Sequence, residues 1–199
     1  NMGTLGQYPL DPVATGALRT NSTVSIVGQE FGHRWLSFID TGDHALLGRD
    51  DAHWNFFNNT VGSVMEGNEI LDLGNNRFRT IGATYRYSPM DQYVMGLRSA
   101  AEVPPWFVVA NPLITNFPPD FPAGCRGELR TCPPYIGLDF SGVRREVTVD
   151  ELITDVGPRI PSSAQSQKNF RVYTGLRESR VHGVAPRHIG ICNTILVVR

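Results

Sequence analysis

A glutamate and a histidine three residues apart are the first residues here whose spacing could support chemistry. They lie in the run Gln29-Glu30-Phe31-Gly32-His33. Four residues along an α-helix advance about 6 Å and return to nearly the same face, so Gln29 and His33 can reach one ion while Glu30 points to its rim. The H-E-x-x-H motif of zinc hydrolases has this geometry, with two zinc-binding histidines and a glutamate as general base. Here a glutamine stands at the first histidine position.

The residues around this run predict the helix that must position it. Asn21-Ser22-Thr23 supply capping side chains, and apolar residues follow at helical spacing. We expect a helix from about Ser22 to Phe38, with Gln29 and His33 on one face. A lone E-x-x-H pair also arises by chance, and the alternative is that His33 is an ordinary histidine on a buried helix face.

Four runs in fixed order resemble a known family. They are EFGHRW at 30–35, GRDDAHW at 48–54, SVMEGN at 63–68 and YSPMDQYVMGL at 87–97. Together they resemble a group of secreted bacterial zinc metallopeptidases with an HEFGHRW helix. The resemblance covers about residues 23–109, continues faintly through 150–171 and fades after Tyr173.

This resemblance implies a zincin-like α+β fold, with the active-site helix packed on a small mixed or antiparallel sheet. Carried over by position, it makes His33 a zinc ligand, Glu30 the general base and Gln29 the occupant of the first ligand position. Apart from the resemblance, Tyr87 and Tyr93 are candidate donors to the oxyanion of the transition state, and the alternative is that each is a phenol buried beside a helix that begins with proline. The expected reaction is the hydrolysis of peptide bonds, with zinc as cofactor and a peptide or protein as substrate.

The third zinc ligand stays open among three residues. His53 is our choice, because it closes an acidic loop beyond the helix, where a returning chain can face His33. His44 is the second candidate, and Glu66 is the third because gluzincins use a downstream glutamate. SVMEGN also resembles the S-x-M turn beneath the zinc of metzincins, although the metzincin histidine spacing is absent: residue 39 is Ile.

The glutamine at position 29 leads to an alternative function. A neutral amide oxygen is a poorer zinc ligand than imidazole, so Gln29 predicts weak, partial or absent zinc binding. The alternative is a catalytically inactive binding or structural domain derived from a metallopeptidase. The acidic loop from Asp40 to Asp51 is either a solvated loop, a calcium site or support for a ligating histidine.

Turn and capping residues predict the remaining elements. Gly74-Asn75-Asn76 between two extended runs indicates a β-hairpin of 69–73 and 77–83. Further elements are expected as helices at 89–96 and about 149–156, and as strands at 106–110, 142–149, 169–176 and 189–198. The Pro- and Gly-rich stretch 111–137 is expected to be a surface excursion closed by a disulfide between Cys125 and Cys132, whereas Cys192 is expected to be a buried small hydrophobe.

Composition limits the classes of protein. With 41% hydrophobic residues, residues 1–199 can form a single domain. A net charge of −1 without a basic block argues against a nucleic-acid partner, and the apolar stretches are too short for a membrane span. The chain begins at Asn1, which predicts a processed or trimmed product. The resemblance implies a secreted or cell-surface location.

Overall fold

The computed structural model describes residues 22–174 and 192–197. Within them lie three α-helices and seven β-strands. The helices are α1 (Thr23–Gly32), α2 (Pro89–Val94) and α3 (Val149–Val156). The strands are β1 (Trp54–Asn59), β2 (Glu66–Gly74), β3 (Arg77–Gly82), β4 (Trp106–Leu113), β5 (Asp139–Val147), β6 (Asn169–Thr174) and β7 (Cys192–Val197). No helix in these residues is long and apolar enough to cross a bilayer.

The first five strands form a closed barrel in the order β1-β2-β3-β5-β4. β1 pairs in parallel with β2 and antiparallel with β4, and the other neighbours are antiparallel. The strands β6 and β7 form a separate antiparallel pair. The predicted zincin-like α+β fold is therefore wrong, because sheet dominates and the helices are short.

Strand β1 explains why the barrel was not predicted. Trp54, Asn55, Phe56, Phe57 and Asn58 are all buried, so the strand has no apolar and polar alternation. It is also the strand that closes the barrel, because it pairs with β2 on one side and β4 on the other. Local patterns identified its neighbours but could not show this closure.

Helix α1 begins as predicted and ends earlier. The Ser22 side chain accepts a hydrogen bond from the backbone of Ser25 at 3.1 Å, which caps the first turn. The helix ends at Gly32 with His33 as its C-cap, so the predicted continuation to Phe38 is wrong. At this end the backbone forms hydrogen bonds between residues three apart, as in a 3₁₀ turn. One of them joins Trp35 N–H to Gly32 O at 2.9 Å.

Several other predicted elements are confirmed. The hairpin of β2 and β3 turns at Asn75 and Asn76, both with φ above +50°, which is the backbone of a two-residue hairpin turn. The side chain of Thr148 caps α3, as its capping residues predicted. Cys125 and Cys132 are bonded. The Cys192 side chain and the first twenty residues lie outside what the structure describes.

Two apolar clusters make the core. One joins phenylalanines of four barrel strands, Phe57, Phe78, Phe107 and Phe140, to the excursion closed by the disulfide. The other lies under the helices and contains Trp54, Met65 and several residues of α2 and α3. The candidate site lies at the edge of this second cluster.

Candidate functional site

The SVMEGN run packs against helix α1 through Met65. Met65 is fully buried, and a Cβ added at Gly32 would overlap its sulfur and come within 3.2 Å of the Tyr87 ring. The Tyr87 hydroxyl donates to the carbonyl oxygen of Gly28 one turn earlier. A larger residue at position 32 would therefore displace the Met65 side chain, and this close packing positions the end of α1 that carries His33.

Asp91 joins three of the four runs that carry the family resemblance. Its carboxylate accepts from Trp54 Nε1 at 2.7 Å, Ser63 Oγ at 2.6 Å and the backbone N–H of Ser88 at 2.6 Å. Burial raises the pKa of Asp91, and these hydrogen bonds oppose the rise. Through these donors the Asp91 carboxylate connects three segments: the start of β1 after His53, the turn before Met65 and the start of α2.

His33 and His53 come together at the end of α1. Their ring centroids are 5.0 Å apart and the ring planes are nearly perpendicular. With Zn–N distances of about 2.0–2.1 Å and near-tetrahedral angles, two imidazoles that share an ion have centroids roughly 5 Å apart. The distance therefore fits two ligands on a common ion, and it equally fits an ordinary edge-to-face contact of two rings.

Hydrogen bonds orient the His53 ring. Its Nδ1 lies 2.9 Å from the carbonyl oxygen of Arg49, an acceptor, so Nδ1 carries the proton and Nε2 offers a lone pair. A backbone carbonyl plays this orienting part for many metal-binding histidines. Burial lowers the pKa of His53, and the positive charges of Arg49 and His33 lower it further. The charge of Glu66 and the hydrogen bond to the Arg49 carbonyl act in the opposite direction, and the net pKa is lowered. The ring is therefore neutral near pH 7.

Arg49 occupies the other side of His53. Its Nη2 lies 3.0 Å from His53 Nε2 and 2.5 Å from Glu66 Oε1. Glu66 is 6% exposed and has a φ of +73° at the start of β2. Burial alone would lower the pKa of Arg49, but the hydrogen bond and charge of Glu66 outweigh it and raise the pKa. A guanidinium thus bridges the imidazole and the carboxylate.

The remaining predicted site residues lie at different places. Gln29 is half-buried and Glu30 exposed, both on the last turns of α1. The side chain of His44 is 84% exposed, 3.8 Å from Asp40. Tyr93 is buried, and its hydroxyl accepts from the backbone N–H of Arg159 at 3.3 Å. The structure places His53 beside His33, with ring centroids 5.0 Å apart, and places Glu66 near His53, with 4.0 Å between Nε2 and Oε1.

Two functional features were missed from the sequence. Arg49 was quoted in the GRDDAHW run without a role, although a cation four residues before His53 in an acidic loop was a signal. Tyr87, which we considered only beside Tyr93, is the tyrosine that contacts α1. Neither residue belongs to the metal-binding set that the spacing alone suggests.

The donor set fits zinc in part. His33 and His53 supply two imidazoles, and Gln29 adds a neutral amide, whereas catalytic zinc sites use three strong protein ligands. Across residues 22–174 and 192–197, no group of three or more His, Cys, Asp and Glu side chains is placed to hold a metal ion. A third strong donor is therefore what the described site lacks.

The chain matches no protein-family model, no curated protein and no solved structure.

Proposed function

We propose that this chain is a metallopeptidase-like domain that binds zinc through His33 and His53 and hydrolyses peptide bonds with Glu30 as general base. The observation that carries the proposal is the approach of the two imidazole rings to 5.0 Å from separate segments of the chain. The orientation of His53 by the Arg49 carbonyl supports it, because Nε2 then carries no proton and has a lone pair, which contacts Arg49 Nη2 in this structure.

The chain's own residues have distinct parts in this reaction. Zinc, when bound, supplies Lewis-acid activation of water and of a peptide carbonyl. Glu30, exposed on the last turn of α1, accepts the proton of the attacking water and returns it to the leaving amine. Gln29 lies one helical turn before His33 and offers its amide oxygen on the same side. Met65 and Tyr87 hold the helix end on which these groups depend.

A second candidate is a binding or structural domain that descends from a metallopeptidase and has lost its activity. Two observations favour it: the neutral amide of Gln29 at the first ligand position, and the Arg49 guanidinium on the Nε2 of His53. In this case His33, His53 and Arg49 only stabilise the loop that carries them. The two candidates differ in whether the protein retains zinc.

We also propose export of this domain. The bond between Cys125 and Cys132 supports it, since disulfides persist mainly in oxidising compartments. The substrate in this proposal is a peptide or protein outside the cytoplasm.

Elemental analysis after dialysis against zinc tests the proposal. The parent is expected to retain zinc below one equivalent, His33→Ala and His53→Ala to retain none, and Gln29→His to retain more. His44→Ala is the matched control, because this histidine is exposed and removed from the pair. Retention by neither the parent nor Gln29→His would refute the proposal and leave the binding domain.

Activity is tested separately from metal binding. Glu30→Gln keeps the size of the side chain and is expected to retain zinc like the parent while losing cleavage of an unstructured protein substrate by about 100-fold or more. The comparison is made in the Gln29→His background, where zinc occupancy is highest. Equal cleavage with and without the Glu30→Gln substitution would remove Glu30 from the mechanism.

A further inference from the structure

We propose that a cavity between β1, β4 and α2 binds an uncharged amide that carries an apolar group. The cavity measures about 260 Å³, and the end of β1, the start of β4 and the first residues of α2 line it. None of the candidate metal ligands is among the described residues of this lining. The inference therefore goes beyond the proposed function and holds whether or not the chain binds zinc.

Two buried polar side chains of the lining lack hydrogen-bond partners. Asn58 is fully buried, and neither its Nδ2 nor its Oδ1 has a partner among the described residues. The same holds for Nε1 of Trp106, which is 9% exposed. Because a buried donor or acceptor without a partner destabilises the fold, such groups are rare and call for an explanation. Two donors and one acceptor are free to meet a molecule that enters the cavity.

Other asparagines of the barrel show that the fold can satisfy such side chains. Asn55 in β1 and Asn68 in β2 are also buried, and each donates to one backbone carbonyl and accepts from one backbone N–H. Asn58 pairs with β4 through its position in the strand, but its side chain makes no such bond to the described residues. Its amide therefore contributes no hydrogen bond to the barrel, as expected of a side chain that meets a ligand.

The unpaired atoms are complementary to an amide. A carbonyl oxygen has two lone pairs, which can accept from Asn58 Nδ2 and Trp106 Nε1, and an amide N–H can donate to Asn58 Oδ1. A carboxylate has no proton for Oδ1. Arg144 is the one charged residue among the described residues of the lining, and it already pairs with Asp72 at 3.3 Å and Glu146 at 2.6 Å. The charges therefore favour an uncharged ligand.

The remaining walls fit an apolar group beside the amide. Met90, Val103 and Phe107 are buried, and they line the cavity together with three prolines. The volume is near the lower end of the range for small-molecule sites. The unpaired atoms are closed to solvent, so a ligand reaches them only when a side chain moves aside. The unbranched side chain of Met90 is suited to such a movement.

Titration with benzamide, followed by heteronuclear NMR, tests the site. The indole N–H signal of Trp106 is assigned by its loss in Trp106→Phe, and benzamide is expected to shift it downfield. Benzamide should bind at least about tenfold more tightly than acetophenone, in which a methyl group replaces the NH₂ group, and than benzoate, which adds a charge. N-acetylleucine methylamide presents the same chemistry as a peptide. Tighter binding of this compound identifies a peptide as the source of the amide, weaker binding identifies a small molecule, and both support the amide site.

Two variants separate a ligand site from a structural role. Asn58→Leu keeps the approximate size of the side chain and should weaken benzamide binding by about tenfold or more. It should be at least as stable in urea as the parent, because it removes groups that have no partner in the free protein. Asn68→Leu is the matched comparison and should be less stable, since it removes two bonded groups. Trp106→Phe keeps an aromatic ring, removes one donor and should weaken binding by about fivefold, so the test remains if Asn58→Leu does not fold.

Three results would overturn the proposal. An unmoved Trp106 signal, or equal binding of benzamide and acetophenone, would show that the unpaired groups meet buried water instead of an amide. Unchanged benzamide affinity in Asn58→Leu or Trp106→Phe would place the amide elsewhere. A loss of stability in Asn58→Leu as large as that in Asn68→Leu would give Asn58 a structural role.

Discussion

Replacing Asp91 by asparagine tests whether the geometry that links the sequence runs depends on this one carboxylate. The side chain is fully buried and accepts hydrogen bonds from Trp54, Ser63 and Ser88. The indole N–H and the Ser88 backbone N–H can only donate. Asparagine has the same shape but presents one acceptor oxygen and one NH₂ group. In either orientation of the amide, one of these two obligatory donors faces another donor.

The cost follows from these contacts. A hydrogen bond to a charged group contributes about 1.5–3 kcal/mol, and a buried donor without a partner costs about 1–3 kcal/mol. Part of this cost is offset, because a neutral amide is less costly to bury than a carboxylate. The same burial cost raises the pKa of Asp91. We therefore expect Asp91→Asn to lower the free energy of unfolding by about 2–4 kcal/mol, and the melting temperature by roughly 5–15 °C.

Urea denaturation followed by far-UV circular dichroism measures this loss. The matched control is Asp139→Asn, which removes a carboxylate from an exposed pair with Arg79 and should cost no more than about 1 kcal/mol. If Asp91→Asn unfolds within about 1 kcal/mol of the parent, the three hydrogen bonds do not hold the runs together. The account of how His53 and α1 are positioned would then fail.

Two further predictions concern α1 and the excursion. Gly32→Ala places a methyl group into the sulfur of Met65 and should cost about 1–3 kcal/mol in thermal unfolding, whereas Gly124→Ala, which meets no atom within 4 Å, should be nearly neutral. Burial, and then the hydrogen bond to Asp120, raise the pKa of Tyr135 to about 12 from the ordinary 10. Because the folded pKa is the higher one, this tyrosine stabilises the domain fully below pH 10, and its contribution is lost as pH rises to 12. Tyr135→Phe should therefore reduce the loss of unfolding free energy between pH 10 and 12. The same loss in the variant and the parent would contradict this prediction.

Sequence patterns that span only a few residues predicted several structural elements correctly. The Gly74-Asn75-Asn76 turn, the capping of α3 by Thr148 and the bonded pair Cys125 and Cys132 all follow from neighbouring residues. The barrel does not, because closure depends on β1 meeting both β2 and β4. A strand buried on both faces carries no alternation to reveal its role.

The candidate site, too, could be predicted from the sequence only in part. Spacing on a helix placed Gln29, Glu30 and His33 together. The structure has His53 beside His33 and His44 exposed, and the choice of His53 as a ligand stays a prediction. The ion pair of Arg49 with Glu66 could not be read from spacing, since it joins a loop to the first residue of β2. Its energy depends on burial, which the sequence does not show.

The ion pair of Arg49 leads to a stability prediction of its own. The buried His53 and Glu66 both contact one nitrogen of Arg49, at 3.0 and 2.5 Å. Two buried acceptors that lose this cation are left without a partner, which destabilises the folded chain. We therefore expect Arg49→Met to lower the free energy of unfolding by about 1–3 kcal/mol, less than for a fully buried pair because the Arg49 side chain is 41% exposed. Arg79→Met removes an exposed arginine and is the matched control, and equal losses for the two variants in urea denaturation would show that the contacts of Arg49 do not stabilise the fold.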